Sequence, residues 1–280
     1  MANFILMITV TDFAKYYPSQ KILSCKDLTI GWERYVYLFE TTEGKYVVKK
    51  AKKDEVGIRN EVFAKRLIAD LDLPVPHILH TDKNLIIEPY IEGTLLTEDK
   101  PLSLYKELGE CVRKIHSIKT IGFGEMKELG VGKYENEIDS IHECGDLNCP
   151  EVKAHHYLKT INIPHILENN TKLLNSKDSV LIHGDLDFEN LLAKEDKLVG
   201  IVDFGDSAVS TPERDLGLLY ISFGKEEIWK SFLEGYKNEF DMRKVMLYSF
   251  LVGTYYIAVD AIKEDSNIYN KYINIVHTLS

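Results

Sequence analysis

Two short stretches of the chain concentrate groups able to move a phosphoryl group. One is Val180-Leu181-Ile182-His183-Gly184-Asp185-Leu186-Asp187-Phe188-Glu189-Asn190-Leu191-Leu192, and the other is Val199-Gly200-Ile201-Val202-Asp203-Phe204-Gly205-Asp206. In each, an apolar run with strand character leads into a carboxylate. Phosphoryl transfer requires that an attacking hydroxyl be oriented and its proton accepted, and that metal ions be held against the phosphates of a nucleotide. Asp185, closing the first strand, is placed to face the hydroxyl, while Asn190, five positions on, and Asp203 are placed to hold the metal. An oxygen-only donor pair suits a hard cation such as Mg2+, which keeps several waters and leans on the substrate phosphates. Any one of these residues alone would read as a turn cap or a loop anchor, the common role of Asp and Asn at strand ends. Their internal spacing and the hairpin-sized gap between the motifs carry the signal.

The elements that must position these residues can be read from periodicity. From Lys21 to Lys50 the pattern is β-like: Tyr35 to Phe39 predicts a strand, Thr41 to Gly44 a turn, and Tyr46 to Val48 a returning strand. Gly57 to Leu71 predicts a helix that Pro74 and Pro76 terminate, and Ile78-Leu79 and Leu85 to Ile87 predict two strands around a turn at Thr81 to Asn84. Beyond Glu92-Gly93 the character turns helical, with Leu102 to Ile118 the first clear helix. Residues 122–150 read as loop-rich, with a short helix at Tyr134 to Cys144. The expectation is therefore an α+β fold with an N-terminal lobe over residues 1–92, a hinge at 88–93, a mainly helical lobe over 93–280, and a cleft between them.

Composition excludes some classes. At 45% hydrophobic and 28% charged, the chain matches an ordinary globular protein, and its net charge of −10 lacks the basic footprint of a nucleic-acid binder. A cationic or neutral small partner is compatible with that charge, and either a monomer or a homodimer is. Cys25, Cys111, Cys144 and Cys149 are too few and too scattered for a disulfide framework, which fits a cytoplasmic location. His142, Cys144, Cys149, His155 and His156 match no structural-zinc spacing, so they read as a loop with incidental thiols. Met1 to Val10 lacks a basic lead and a cleavage site and reads as a first strand; Val245 to Ile262 is broken by Gly253, Thr254 and Asp260 and reads as a buried helix rather than a membrane span.

The two motifs resemble those of the aminoglycoside phosphotransferase and choline kinase group, which has a bilobal fold like that of protein kinases. In this group His-Arg-Asp becomes His-Gly-Asp and the segment after the second Asp is short. The resemblance runs from about residue 25 to about 240 and is sharpest from Leu181 to Leu219. Leu73-Pro74-Val75-Pro76, Val112 to Ser117 and Ile121-Gly122-Phe123-Gly124 look like the family in the same order. It implies a kinase that passes the γ-phosphoryl group of ATP or GTP to a hydroxyl. Asp185 would be the catalytic base, and Asn190 and Asp203 the Mg2+ ligands.

The resemblance also implies that Lys49 contacts the α- and β-phosphates with Glu61 as its ion-pair partner; Lys50 is the competing lysine. Backbone groups of Glu88 and Tyr90 would meet the purine edge, with Ile201 or Val202 as the apolar floor beneath it. The nucleotide loop, Leu28 to Val36, departs from the glycine-rich pattern because it offers only Gly31; Trp32 there is as readily a lobe contact as a stacking partner. Gly184 stands where regulated protein kinases place an arginine that reads a phosphorylated segment. Pro212-Glu213-Arg214-Asp215 follows so soon that no peptide-binding segment fits, which implies a small acceptor. His183 is expected to brace the loop, and Asp215 to cap a helix or tie the loop down. Asp187, Glu189, Asp206 and Glu213 would favour an amino-sugar acceptor such as an aminoglycoside. Choline, homoserine, methylthioribose and sugar amines are alternatives, as is a nucleotide-binding pseudokinase.

Overall fold

The computed structural model describes residues 10–29, 34–144, 147, 149–259, 262 and 266–280, apart from the side chains of His142 and Cys144. Gly31 and Trp32 of the nucleotide loop, and the strand expected over the first nine residues, lie outside the described set; Val10 belongs to a helix, α1, described over residues 10–16. The hairpin read from alternation is present as β2 (Arg34–Thr41) and β3 (Lys45–Ala51). With β1 (Ile22–Asp27), β4 (His80–Thr81) and β5 (Leu85–Pro89), it forms an antiparallel sheet of order β1-β2-β3-β5-β4.

Register fixes what each face of this sheet does. Tyr37 is opposite Val48 and Val48 opposite Ile87, so odd residues of β2 and β5 share a face with even residues of β3. That face buries Tyr37, Phe39, Val48, Leu85 and Ile87 against Phe13 of α1, whose ring stacks on Phe39 at 4.9 Å. The other face therefore carries Arg34, Lys49 and Glu88, and is covered by α2 (Val56–Leu67). The expected helix to Leu71 stops at Leu67, because the chain turns there to pack Leu71, Leu73 and Val75 into the main core.

The two motif strands fall in different sheets. β10 (Ser179–Ile182) belongs to a five-stranded sheet, order β7-β10-β13-β8-β9, with β7 (Lys119–Thr120), β8 (Phe123–Glu128), β9 (Val131–Tyr134) and β13 (Ala208–Ser210). The second motif ends β12 (Lys197–Ile201), which pairs with β11 (Leu191–Lys194); β11 pairs in turn with β6 (Thr94–Leu95). The β8–β9 hairpin falls in the stretch read as loop. Its strands lack alternation, and the turn at Gly130 with apolar Phe123, Met126 and Val131 around it was the available signal. The short helix expected near Tyr134 is a 3-10 turn over Ile138–Cys144.

Helices complete the core: α3 (Leu102–Ile115), α4 (Pro150–Ala154), α5 (Ile163–Asn170), α6 (Glu213–Ser222), α7 (Glu226–Tyr236), α8 (Met242–Ala258) and α9 (Asn267–Leu279). In α3, Leu104, Tyr105, Leu108, Cys111, Val112 and Ile115 form one buried stripe at helical spacing. It crosses α7 at two glycines so closely that a Cβ on Gly109 would lie 2.1 Å from the Phe232 carbonyl, and one on Gly235 1.9 Å from that of Lys106. Among the described residues no helix is long and apolar enough to cross a membrane. Cys149 caps α4 through its sulfur, which accepts from the Val152 N–H, and no group of three His, Cys, Asp or Glu among the described residues is arranged to hold a metal.

Candidate active site

The chain leaving β10 is fixed mainly by its backbone. His183 N–H and Gly184 N–H donate to the two oxygens of Asp215 at 2.8 and 2.9 Å, so Asp215 ties down the loop rather than capping its own helix. His116 Nε2 donates to the same carboxylate at 3.1 Å, and its Nδ1 is hydrogen-bonded to the Tyr236 hydroxyl at 2.9 Å. Burial alone would raise the Asp215 carboxyl, but these hydrogen bonds, with the two histidines, hold it below the usual range. His183 braces the second motif as well: Nδ1 accepts from Asp185 N–H, so Nε2 carries the proton and donates to Val202 O at 3.0 Å.

Asp185 and Asn190 meet directly. Asn190 Nδ2 donates to the main-chain oxygen of Asp185 at 2.7 Å and to its Oδ2 at 2.9 Å. The Asn190 carbonyl accepts from Val202 N–H at 2.9 Å, which draws the residue before Asp203 to the same place. Asp203 has φ 65° and ψ 66°, a left-handed conformation that Asp tolerates better than most side chains. Asn190 thereby keeps its Oδ1 as an acceptor, and Asp203 presents a part-exposed carboxylate. This oxygen donor set fits a hard divalent cation that takes its remaining ligands from phosphates and water.

Joined to this loop through Asp203, six charged side chains form a network, five of them buried. Lys49, Glu61 and Glu88 are 4%, 0% and 2% exposed, dry enough that each charge needs a partner. Lys49 Nζ lies 2.6 Å from Glu61 and 2.8 Å from Glu88, and Lys65, one helical turn after Glu61, bridges the same two carboxylates. Arg34 lies 3.0 Å from Glu61 and 2.6 Å from Asp203, so it links the sheet, α2 and the second motif. Burial alone would raise Glu61, yet Lys49, Lys65 and Arg34 outweigh it and hold the carboxyl well below its ordinary value. Burial would likewise lower Lys49, and Glu61 with Glu88 and Asp203 raises it instead. Lys50, the competing lysine, points to the opposite face and pairs with Asp12 of α1. Sequence reading found Lys49 and Glu61 but missed Arg34, Lys65 and the Glu88 side chain; strand alternation and the Glu61/Lys65 spacing were the signals present.

The pairing of β5 with β3 sets which way its backbone groups point. Tyr90 N–H donates to Lys45 O at 3.0 Å and Ala51 N–H to Asn84 O at 2.9 Å, so the even residues of this stretch turn their backbone groups toward β3. The carbonyls of Leu85 and Ile87 face the other way, where Asp82 and Leu79 bond them. By the same alternation the carbonyl of Pro89, the last residue of β5, lies on the edge away from β3. Ile201 is fully buried in the core beside Leu191, whereas Leu192 and Val202 occupy the opposite face of the β11–β12 hairpin and are half-buried.

Gly184 sets how closely the two motif loops approach. Its φ is +89°, and a Cβ added there would lie 1.9 Å from the Asp206 carbonyl. A Gly184→Ala substitution is expected to destabilise the fold by about 1–3 kcal/mol, from the unfavourable backbone region and the forced separation of the loops. Chemical denaturation of the two proteins measures this, and equal midpoints would refute it.

Residues 24–248 match the phosphotransferase enzyme family, APH. No curated protein matches the sequence at a significant level. Among solved structures, the chain is similar to aminoglycoside phosphotransferase APH(4)-Ia, with 17% identity, a TM-score of 0.68 and 98% of each chain covered. It is similar to the ADP-bound aminoglycoside phosphotransferase APH(2'')-Ib at 20% identity and a TM-score of 0.63, over 97% of this chain and 95% of that one. The streptomycin–ATP–APH(2")-IIa ternary complex matches at 20% identity and a TM-score of 0.62, over 91% and 90%. At these identities the likeness establishes a shared fold: a β-rich N-terminal region and a helical C-terminal region, as in aminoglycoside phosphotransferases.

Proposed function

Since the chain belongs to the phosphotransferase enzyme family and is thereby an O-phosphotransferase, we propose that it passes the γ-phosphoryl group of magnesium ATP to a hydroxyl of a small cationic acceptor. The observation that carries this reading is the Asn190 bridge, which joins the carboxylate of Asp185 to the backbone of the segment bearing Asp203. Asp185 orients the acceptor hydroxyl and takes its proton as the oxygen attacks phosphorus. Asn190 and Asp203 would hold Mg2+, whose charge would offset that on the transferring group. Lys49 and Arg34 supply the fixed positive charge beside the phosphates, and the ring of carboxylates around them keeps both in place before any donor arrives. Pro89 C=O reads the purine edge, with Leu192 and Val202 beneath it. The same reading divides the chain near residue 92 into a nucleotide-binding part and an acceptor-binding part. Abundant ATP and the free thiols of Cys25, Cys111 and Cys149 suit the cytoplasm.

For the acceptor, an amino-sugar is favoured by Asp187. Burial, with Asp185 and Glu189 close by, pushes its carboxyl up to about 7. Below that pH it is neutral and above it an anion, so an ammonium group on the acceptor binds better as pH rises through 7. Acceptor affinity measured by calorimetry between pH 6 and 8 is expected to rise, and Asp187→Asn to flatten the rise; a cationic acceptor whose affinity is level across that range would contradict it. Several structures of this fold are of complexes with amino-sugar compounds, hygromycin B and gentamicin among them. The deciding experiment is magnesium-dependent ADP formation across a panel of amino-sugar antibiotics, choline and homoserine. Stimulation by choline or homoserine alone would overturn the amino-sugar assignment, and no stimulation by any alcohol would overturn the kinase reading.

A further inference from the structure

Helix α8 reads in the sequence only as a buried apolar element, yet its last turn reaches the centre of the site. Tyr256, half-buried near its C-terminal end, donates from its hydroxyl to Asp185 Oδ1 at 3.3 Å across 71 residues of sequence. The other carboxylate oxygen, Oδ2, accepts from Asn190. We infer that Tyr256 is a positioning residue for the base: its hydroxyl and the Asn190 amide grip the two oxygens of Asp185 from different sides and fix the carboxylate about its Cβ–Cγ bond. This rests on the reading of Asp185 as the base. A base that must sit within hydrogen-bond reach of one hydroxyl gains rate from being held at both oxygens, because rotation of the carboxylate would move its lone pairs off that hydroxyl.

The helix is a firm support for such a grip. Asp241 caps its start through the N–H groups of Arg243 and Lys244, Lys244 Nζ donates to Oε2 of the buried Glu137 at 2.8 Å, and Tyr248 Oη donates to its Oε1 at 2.7 Å. Two residues before Tyr256, Thr254 bonds Tyr272 of α9 at 2.6 Å, and Ser249 donates to Gly217 O of α6 at 2.7 Å. The Tyr256 hydroxyl is therefore located by the helix and not by a loop. Burial, with Asp185 and Asp187 nearby, keeps the phenol far above its ordinary value of 10.0, so it remains an O–H donor at any working pH.

Tyr256→Phe removes the hydroxyl and keeps the ring. The expected result is a kcat about tenfold lower, the size of one lost hydrogen bond to a charged acceptor, with KM for the nucleotide and the thermal midpoint unchanged. In an Asp185→Asn background the same substitution is expected to cost nothing further, which residual turnover with γ-labelled ATP can measure. An unaltered kcat in Tyr256→Phe, or an equal loss with and without Asp185, would overturn the inference. Loss of activity accompanied by a lower midpoint in Tyr256→Phe, and not restored by Tyr256→His, which keeps a polar donor, would show packing rather than positioning and would also overturn it. Full turnover by Asp185→Asn alone would instead remove Asp185 as the base, and the inference with it.

Discussion

An Asp185→Asn variant is expected to lose about 10²–10⁴-fold in kcat while binding nucleotide as the parent does. The substitution preserves shape and one acceptor oxygen, so Asn190 retains a partner and the loop, held by Asp215 through the backbone of His183 and Gly184, stays in place. What disappears is the group that takes the acceptor's proton. Steady-state ADP formation gives kcat, and calorimetric titration with magnesium ATP gives affinity. Wild-type turnover in the variant would end the assignment. Loss of turnover together with loss of nucleotide affinity would shift the role of Asp185 to the metal.

The second large effect concerns stability. The charged network contains three cations, Lys49, Lys65 and Arg34, and three anions, Glu61, Glu88 and the part-exposed Asp203, and the buried Glu61 touches all three cations. Glu61→Gln leaves an uncompensated buried positive charge and is expected to cost about 3–5 kcal/mol. For a chain of this size the thermal midpoint should fall by roughly 6–20 °C. The pH dependence has a definite sign. Because Glu61 is held below its ordinary 4.5, the stability it contributes is complete above that value and is lost as pH falls beneath it. Thermal unfolding from pH 3 to 7 should therefore show a shallower acid slope in Glu61→Gln. A Glu61→Gln/Lys65→Met variant, which restores neutrality, should recover part of the midpoint; no recovery, or no loss in the single variant, would count against charge balance as the cause.

How far the sequence could be read depended on whether a residue's partner was local or distant. The β2–β3 hairpin, α2 and α3 follow from patterns contained within each segment, and the expectations for them differ from the structure only at their ends. Asp185 and Asn190 were legible because five residues and one turn join them. Arg34 was not, since its partners Glu61 and Asp203 are brought to it only by the closing of the sheet over α2 and the second motif. Tyr256 was hidden for the same reason, within a helix whose apolar composition spoke only of burial. The hydrogen-bond phase along β5 was hidden for a different reason: it depends on pairing with β3, which no local pattern of side chains reports. The β8–β9 hairpin escaped because its glycines and charges mimic a loop, and only the sheet it joins gives them strand geometry.

The seating of Gly184 on the Asp206 carbonyl has an implication for control. A guanidinium-bearing side chain cannot be grafted at that position by one codon change, because even its first carbon would drive apart the backbone loops that carry Asp185 and Asp203. The position at which regulated protein kinases place a phosphate-reading arginine is thus closed to any side chain here. Covalent on–off command over such a catalyst would have to be engineered into another part of the surface.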